Sequence, residues 1–167
     1  VRRPVLVVKQ PPRENYRSVL VAVDFSAASR LAIREARRWA PGADLVLLHA
    51  FELPYEGKLA FAGVEEQVIR QHINAGIETR RERLHELAAS VSLPSGSYLV
   101  RVIHGDPSQR IIAMEQEYDA DLIVVGKHGT HITEELLLGS VTKHVLAESQ
   151  CDVLVIADPR PGESDLL

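Results

Sequence analysis

The sequence predicts an α/β domain with a doubly wound parallel sheet, and three observations carry that expectation. Five short apolar runs, near residues 19–24, 45–50, 97–103, 121–126 and 153–157, alternate with helical patterns, the rhythm of parallel strands joined by crossover helices. The run Asp121-Leu122-Ile123-Val124-Val125-Gly126 is nearly all apolar, which marks a strand covered on both faces. The chain has 167 residues, 46% apolar and 25% charged, enough for one good core and a Rossmann-like or flavodoxin-like layout.

Each element has its own local reason. Arg3-Pro4-Val5-Leu6-Val7-Val8-Lys9 echoes Cys151-Asp152-Val153-Leu154-Val155-Ile156-Ala157 near the other end, and Gln10-Pro11-Pro12-Arg13-Glu14-Asn15 reads as a linker. Residues 1–16 are therefore expected to bring an extra strand to a domain spanning 17–160, leaving 161–167 as a tail. The strand at 153–157 lies at a sheet edge without internal charge or proline, so residues 4–8 should pair with it, within one chain or exchanged between two. The strand at 19–24 leads into a helix from about Ser26, a plausible N-cap, to Ala40, stopped by Pro41-Gly42. After the strand at 45–50, residues 51–63 with Pro54, Gly57 and Gly63 read as an irregular loop. From Val64 to Ala89, Ile69, Ile73, Ile77, Leu84, Leu87 and Ala88 recur at amphipathic-helix spacing, with Arg80, Arg81 and Arg83 on what reads as a solvated face. Asp106-Pro107 supplies an N-cap and a proline at the first helical position.

The stretch richest in chemistry is Gly126-Lys127-His128-Gly129, followed after nine residues by Gly139-Ser140. Gly126 ends a buried strand at the sheet edge where ligands collect, and Gly126 and Gly129 let the backbone approach an anion with no Cβ in the way. Gly139-Ser140 opens the helical pattern Val141, Val145, Leu146, whose first N–H groups have no intrahelical partner and sit at the positive end of the helix dipole. Such groups hold phosphate oxygens, and the Ser140 and Thr142 hydroxyls are candidates to add hydrogen bonds or reach a metal on the phosphates.

This G-x2-G-x9-G-S spacing resembles the nucleotide loop of the universal stress protein family. Val19-Leu20-Val21-Ala22-Val23-Asp24-Phe25-Ser26 is similar to that family's first strand with its terminal aspartate, and Leu45-Val46-Leu47-Leu48-His49-Ala50 to its second. Gly105-Asp106-Pro107, Leu137-Leu138-Gly139-Ser140-Val141-Thr142 and Cys151 to Ile156 complete a resemblance over roughly residues 17 to 158. It implies five parallel strands in the order 3-2-1-4-5, with the ligand crevice between the first and the fourth, so that Asp24 and Gly126 face each other. It also implies ATP as ligand, with Mg²⁺ or Mn²⁺, the base beside Ala22, Val23, Asp24 and Ala50, and the phosphates on Gly126, Lys127, His128, Gly129, Gly139, Ser140, Val141 and Thr142. Lys127 stands after the first glycine, where the resemblance implies a serine more often, and Lys127 and His128 would supplement the backbone donors. Asp24 has a blander reading too, since an aspartate between strand and helix often just caps the helix. The echo at residues 3–9 suggests the last strand of a preceding domain of the same family, and in that family last strands commonly meet across a dimer, so a homodimer is expected.

The rival functions are unevenly excluded. Net charge −4 gives no support for nucleic-acid binding, and no apolar run approaches a membrane span. The single Cys151, before a core strand, reads as a buried thiol, and the expected compartment is the cytoplasm. His128, His131 and Glu134 recur at three-residue intervals, but a glycine-rich loop seldom holds the rigid geometry zinc prefers, so no metal site is assigned. The first strand ends in Asp24-Phe25-Ser26-Ala27-Ala28-Ser29 rather than G-x-G-x-x-G, and G-x4-G-K-[ST] is absent, which removes dinucleotide dehydrogenases and P-loop enzymes. Three roles remain: an ATP-binding regulatory protein, a slow ATP hydrolase or phosphotransferase, and a module acting through protein contacts without nucleotide. The first is preferred, because no residue stands out as a general base and none is assigned as catalytic.

Overall fold

The computed structural model describes residues 3–11, 15–127 and 138–157. In chain order the elements are β1 (Val5–Val7), β2 (Ser18–Ala22), α1 (Ala27–Trp39), β3 (Asp44–Phe51), α2 (Glu56–Phe61), α3 (Glu66–Ser90), β4 (Leu99–His104), α4 (Pro107–Glu117), β5 (Leu122–Gly126), α5 (Ser140–Glu148) and β6 (Asp152–Ile156). They form one six-stranded sheet in the order β1-β6-β5-β2-β3-β4. Leaving β1 aside, the five parallel strands follow the expected 3-2-1-4-5 order.

Side-chain alternation along the strands divides the core in two. Val19 and Val21 of β2 point with Val124 of β5 toward Ala32, Ile33 and Ala36 of α1 and Leu84 and Ala88 of α3. Leu20, Val46 and Ile123 point the other way, onto Ile111 and Met114 of α4 and Val145 of α5. Helices α1 and α3 therefore cover one face and α4 and α5 the other, with the winding reversing between β2 and β5. Caps fall where the side chains allow them: Ser26 accepts a hydrogen bond from Ser29 N–H ahead of α1, and Asp106 from Gln109 N–H ahead of α4, with Pro107 at the first turn. Among the described residues no helix is long and apolar enough to cross a membrane.

Two expectations need correction. The irregular loop at 51–63 contains α2, six residues entered through Tyr55 at φ 66° with no side-chain cap and no buried residue. Its sequence carries no periodic signal because it has no core face. Arg80 does not lie on a solvated face: it is half-buried, its guanidinium 4.0 Å from the ring centre of Phe51, whereas Arg83 is exposed as expected and lies 4.0 Å over the Phe25 ring. Arg81, by contrast, pairs with Glu78 at the surface.

The extra strand is present and pairs within the chain. β1 runs antiparallel to β6, Val5 opposite Val155, Leu6 opposite Leu154 and Val7 opposite Val153. The next residues lock it: Lys9 Nζ donates to Leu146 O at 2.6 Å, Ser149 O at 2.8 Å and Ser149 Oγ at 2.9 Å, closing the end of α5. The buried Asp152 carboxylate accepts Lys9 N–H at 2.8 Å, Gln10 N–H at 3.1 Å and the Tyr16 hydroxyl at 2.8 Å. Burial, first, and then this carboxylate hold the Tyr16 hydroxyl well above the ordinary tyrosine range. Asp152→Ala strands three donors at once and should cost on the order of 2 kcal/mol in urea unfolding, with faster hydrogen exchange at Leu6. Unchanged exchange at Leu6 would mean that the ladder alone holds β1.

Candidate functional site at the carboxyl ends of the strands

A crevice opens where neighbouring parallel strands send their helices to opposite faces, and here that point lies between β2 and β5. On the β2 side the ladder continues one step beyond the strand, Val23 N–H donating to Leu48 O at 2.8 Å. Asp24 follows, exposed, its carboxylate accepting Ser26 N–H at 3.0 Å. Phe25 between them takes φ 63°, a left-handed turn in which a phenylalanine is uncommon. The helix cap itself is Ser26, so Asp24 closes a two-residue turn and leaves most of its carboxylate open to the crevice.

Ala22 and Ala50 are half-buried at the ends of β2 and β3. Ala22 packs, with Ile103, Leu138 and Val141, on the core beneath α4 and α5. That makes a shelf of small and apolar groups, a surface suited to a flat apolar ring. Val23 is placed differently: its side chain is buried in the opposite core, its N–H is bound to Leu48, and its carbonyl lies 2.7 Å from His49 Nδ1.

On the β5 side, a Cβ built on Gly126 would meet the Ala28 Cβ at 3.0 Å, so this glycine lets the first turn of α1 pack against the strand end. Lys127 N–H donates to Ile156 O at 2.7 Å and Gly139 N–H to Lys127 O at 3.1 Å, which pins the two ends of the intervening segment together. His128 and Gly129, with His131, Glu134 and Glu135, lie outside the described residues. Gly139 is the N-cap of α5 and offers no side-chain cap, so the first-turn N–H groups of Ser140 and Val141 look outward from a helix start. Ser140 is exposed there and Val141 half-buried. The Thr142 hydroxyl is buried instead and donates to Gly126 O at 2.8 Å, tying α5 to the end of β5.

Sequence reasoning missed a ladder of rings beside Asp24. Phe25 and His49 stand 4.6 Å apart, His49 and Phe51 stack at 6.2 Å, and Phe51 meets His104 edge-on at 5.7 Å. Arg83 and Arg80 cover Phe25 and Phe51, and His104 Nε2 sits 2.8 Å from Glu56 Oε2 of α2. Burial, above all, lowers the His49 pKa; the Val23 carbonyl works against this, while Arg80 and Arg83 reinforce it. A signal existed in the spacing, because Arg80 falls three residues after Ile77 and four before Leu84, inside the core stripe. Cys151 is fully buried, and burial followed by the Glu115 carboxylate pushes its thiol far above the usual range, which leaves it inert as a nucleophile.

The fold is a doubly wound α/β domain with the start of α5 beside its topological switch point. The model of the universal stress protein family matches residues 15–157, and the chain belongs to that family. It is 31% identical over 149 residues to universal stress protein A homolog 2 of Coxiella burnetii, covering 86% of this chain and 96% of that protein. Among solved structures, UspA from Lactobacillus plantarum superposes with a TM-score of 0.68 at 24% identity, covering 86% of this chain and 99% of that one. A universal stress protein described in complex with cAMP superposes with a TM-score of 0.61 at 26% identity, covering 87% and 100%.

Proposed function

We propose that this universal stress protein binds ATP, with Mg²⁺ or Mn²⁺ on the phosphates, and serves as a nucleotide-dependent regulatory module of a stress response. The observation that carries the reading is the helix start at Gly139-Ser140, uncapped by any side chain among the described residues and set across the β2/β5 boundary from the open carboxylate of Asp24. In this reading the base rests on the shelf of Ala22, Ala50 and Val141 beside Asp24, while the phosphates take the N–H groups of Ser140 and Val141 and the Ser140 hydroxyl. Gly126, Lys127, His128 and Gly129 form the rest of the cradle, and Thr142 braces it from within. The structure that names cAMP supports a nucleotide in this fold. Asp24 stands on the base side, away from the phosphates, so the reading is binding rather than turnover.

The same proposal assigns residues 3–9 to the tail of a preceding domain and expects a homodimer. The sequence echo supports the first, since β1 and β6 are near-copies paired with each other. Exposed apolar side chains, Val5 on the outer strand at 58% and Val8 just past its end at 63%, support the second.

Asp24→Ala tests the base side. Among the described residues its hydrogen bond is to Ser26 N–H, so unfolding free energy should fall by about 1 kcal/mol or less, while ATP affinity falls several-fold. Calorimetric titration and a melting curve on the same sample separate the two, and undiminished affinity with a large stability loss would reduce Asp24 to a structural turn.

A further inference from the structure

A second charged site lies at the opposite end of the sheet. The last turns of α1 and the segment after α3 enclose an open cleft of about 590 Å³ lined by Arg34, Arg37 and Arg38 with Ser92, Leu93 and Pro94, and no carboxylate lines it. The usual explanation of arginines here is that they meet the carbonyls at helix carboxyl ends. That accounts for only part of the group. Arg37 is spent in this way, its guanidinium donating to Pro41 O at 3.1 Å, Ala43 O at 3.0 Å and Ser97 O at 2.8 Å. Arg30, two turns back, reaches Ser90 O at 3.4 Å.

Arg34 makes no hydrogen bond or ion pair among the described residues. Arg38 is exposed and meets Glu35 only at 3.5 Å, while the other Glu35 oxygen accepts the Trp39 indole N–H at 3.2 Å. Arg34 and Arg38 are one helical turn apart, on the same stripe of α1 and in the same cleft. Each helix end contributes about half a negative charge, and the committed arginines already face those ends, so the charge of Arg34 is left for something else. Two guanidinium forks one turn apart match the oxygens of a single dianion, which arginine holds bidentately where lysine does not. Leu93, Pro41 and Pro94 give the cleft an apolar wall beside the forks, and Ser92, at φ 60°, adds a hydroxyl with no partner among the described residues.

We propose that this cleft binds a small organic phosphate monoester, the dianion on Arg34 and Arg38 and the organic body against Leu93 and the prolines. The site is separate from the nucleotide crevice and does not depend on what binds there. The test uses the full chain and phenyl phosphate as probe, by calorimetric titration and by amide chemical shifts. Expected are saturable binding, the largest shifts at Ser92 to Ser97, affinity for inorganic phosphate at least tenfold weaker, and a tenfold or greater loss in the double variant Arg34→Gln, Arg38→Gln. Arg37 is left intact because it ties the helix to its neighbours, and an unchanged melting temperature confirms that the double variant is folded. The proposal is overturned by no binding to the unmodified chain, by full affinity in the folded double variant, by shifts centred on Ser140 to Lys143, or by inorganic phosphate binding as tightly as the ester.

Discussion

ATP with Mg²⁺, at one hundred times its dissociation constant, should stabilise the chain by about 2.7 kcal/mol and raise the melting temperature by roughly 5–10 °C. Gly139→Val should remove that rise. Gly139 has φ −59° and ψ 157°, extended backbone that valine adopts without strain, so the substitution does not act through an unfavourable dihedral angle. It acts by placing a branched side chain over the first-turn N–H groups that would hold a phosphate. Losing glycine at an N-cap costs about 1 kcal/mol, so the variant stays folded and its lost response reads out binding. Lys127→Ala should weaken ATP only modestly, because the cradle is mainly backbone. Gly139→Val protein that still binds ATP with full affinity would show that the phosphates lie elsewhere.

Deleting residues 1–12 should lower stability by roughly 4 kcal/mol and turn the protein toward aggregation or a changed oligomeric state. The deletion removes the β1 ladder, the Leu6 side chain packed on the core, and all three Lys9 Nζ contacts at the end of α5. It also leaves Asp152 without two of its backbone donors and bares the edge of β6, whose five residues are all buried when β1 is in place. Light scattering and hydrogen exchange at Val153 to Ile156 are the measurements. Unchanged values in both would mean that β1 contributes nothing to the sheet.

What was legible in the sequence is what local chemistry decides. Apolar runs gave every parallel strand to within a few residues, Ser26 and Asp106 announced the helix starts they cap, and the echo between residues 3–9 and 151–157 anticipated the pairing of β1 with β6. The family resemblance, rather than any local pattern, put Asp24 and Gly126 at neighbouring strand ends. Features decided by packing were not legible. α2 has no buried side chain and so no periodicity. Arg80 carries a charge that reads as solvated until the Phe51 ring beneath it is placed. The turn at Gly126 reads as an anion loop from sequence, yet its tightest neighbour is Ala28 of α1, a contact between residues far apart in the chain. The bond from the Thr142 hydroxyl to Gly126 O, sixteen residues back, likewise left no trace in the sequence.

The pairing of Val5 with Val155 joins positions about 150 residues apart, and this has a consequence for how the chain comes into being. A ribosome releases β1 before the other strands of this sheet and β6 after them, so β1 must wait for its partner while the rest of the sheet is made. During that interval its Val5-Leu6-Val7-Val8 run is available to any other open edge, including the β6 edge of a neighbouring molecule that has finished first. Such long-range closure is also slow, because its loop entropy is spent before any contact rewards it. Refolding from denaturant should therefore show registration of β1 as a late phase, and raising protein concentration should divert that phase from closure within one chain toward exchange between two.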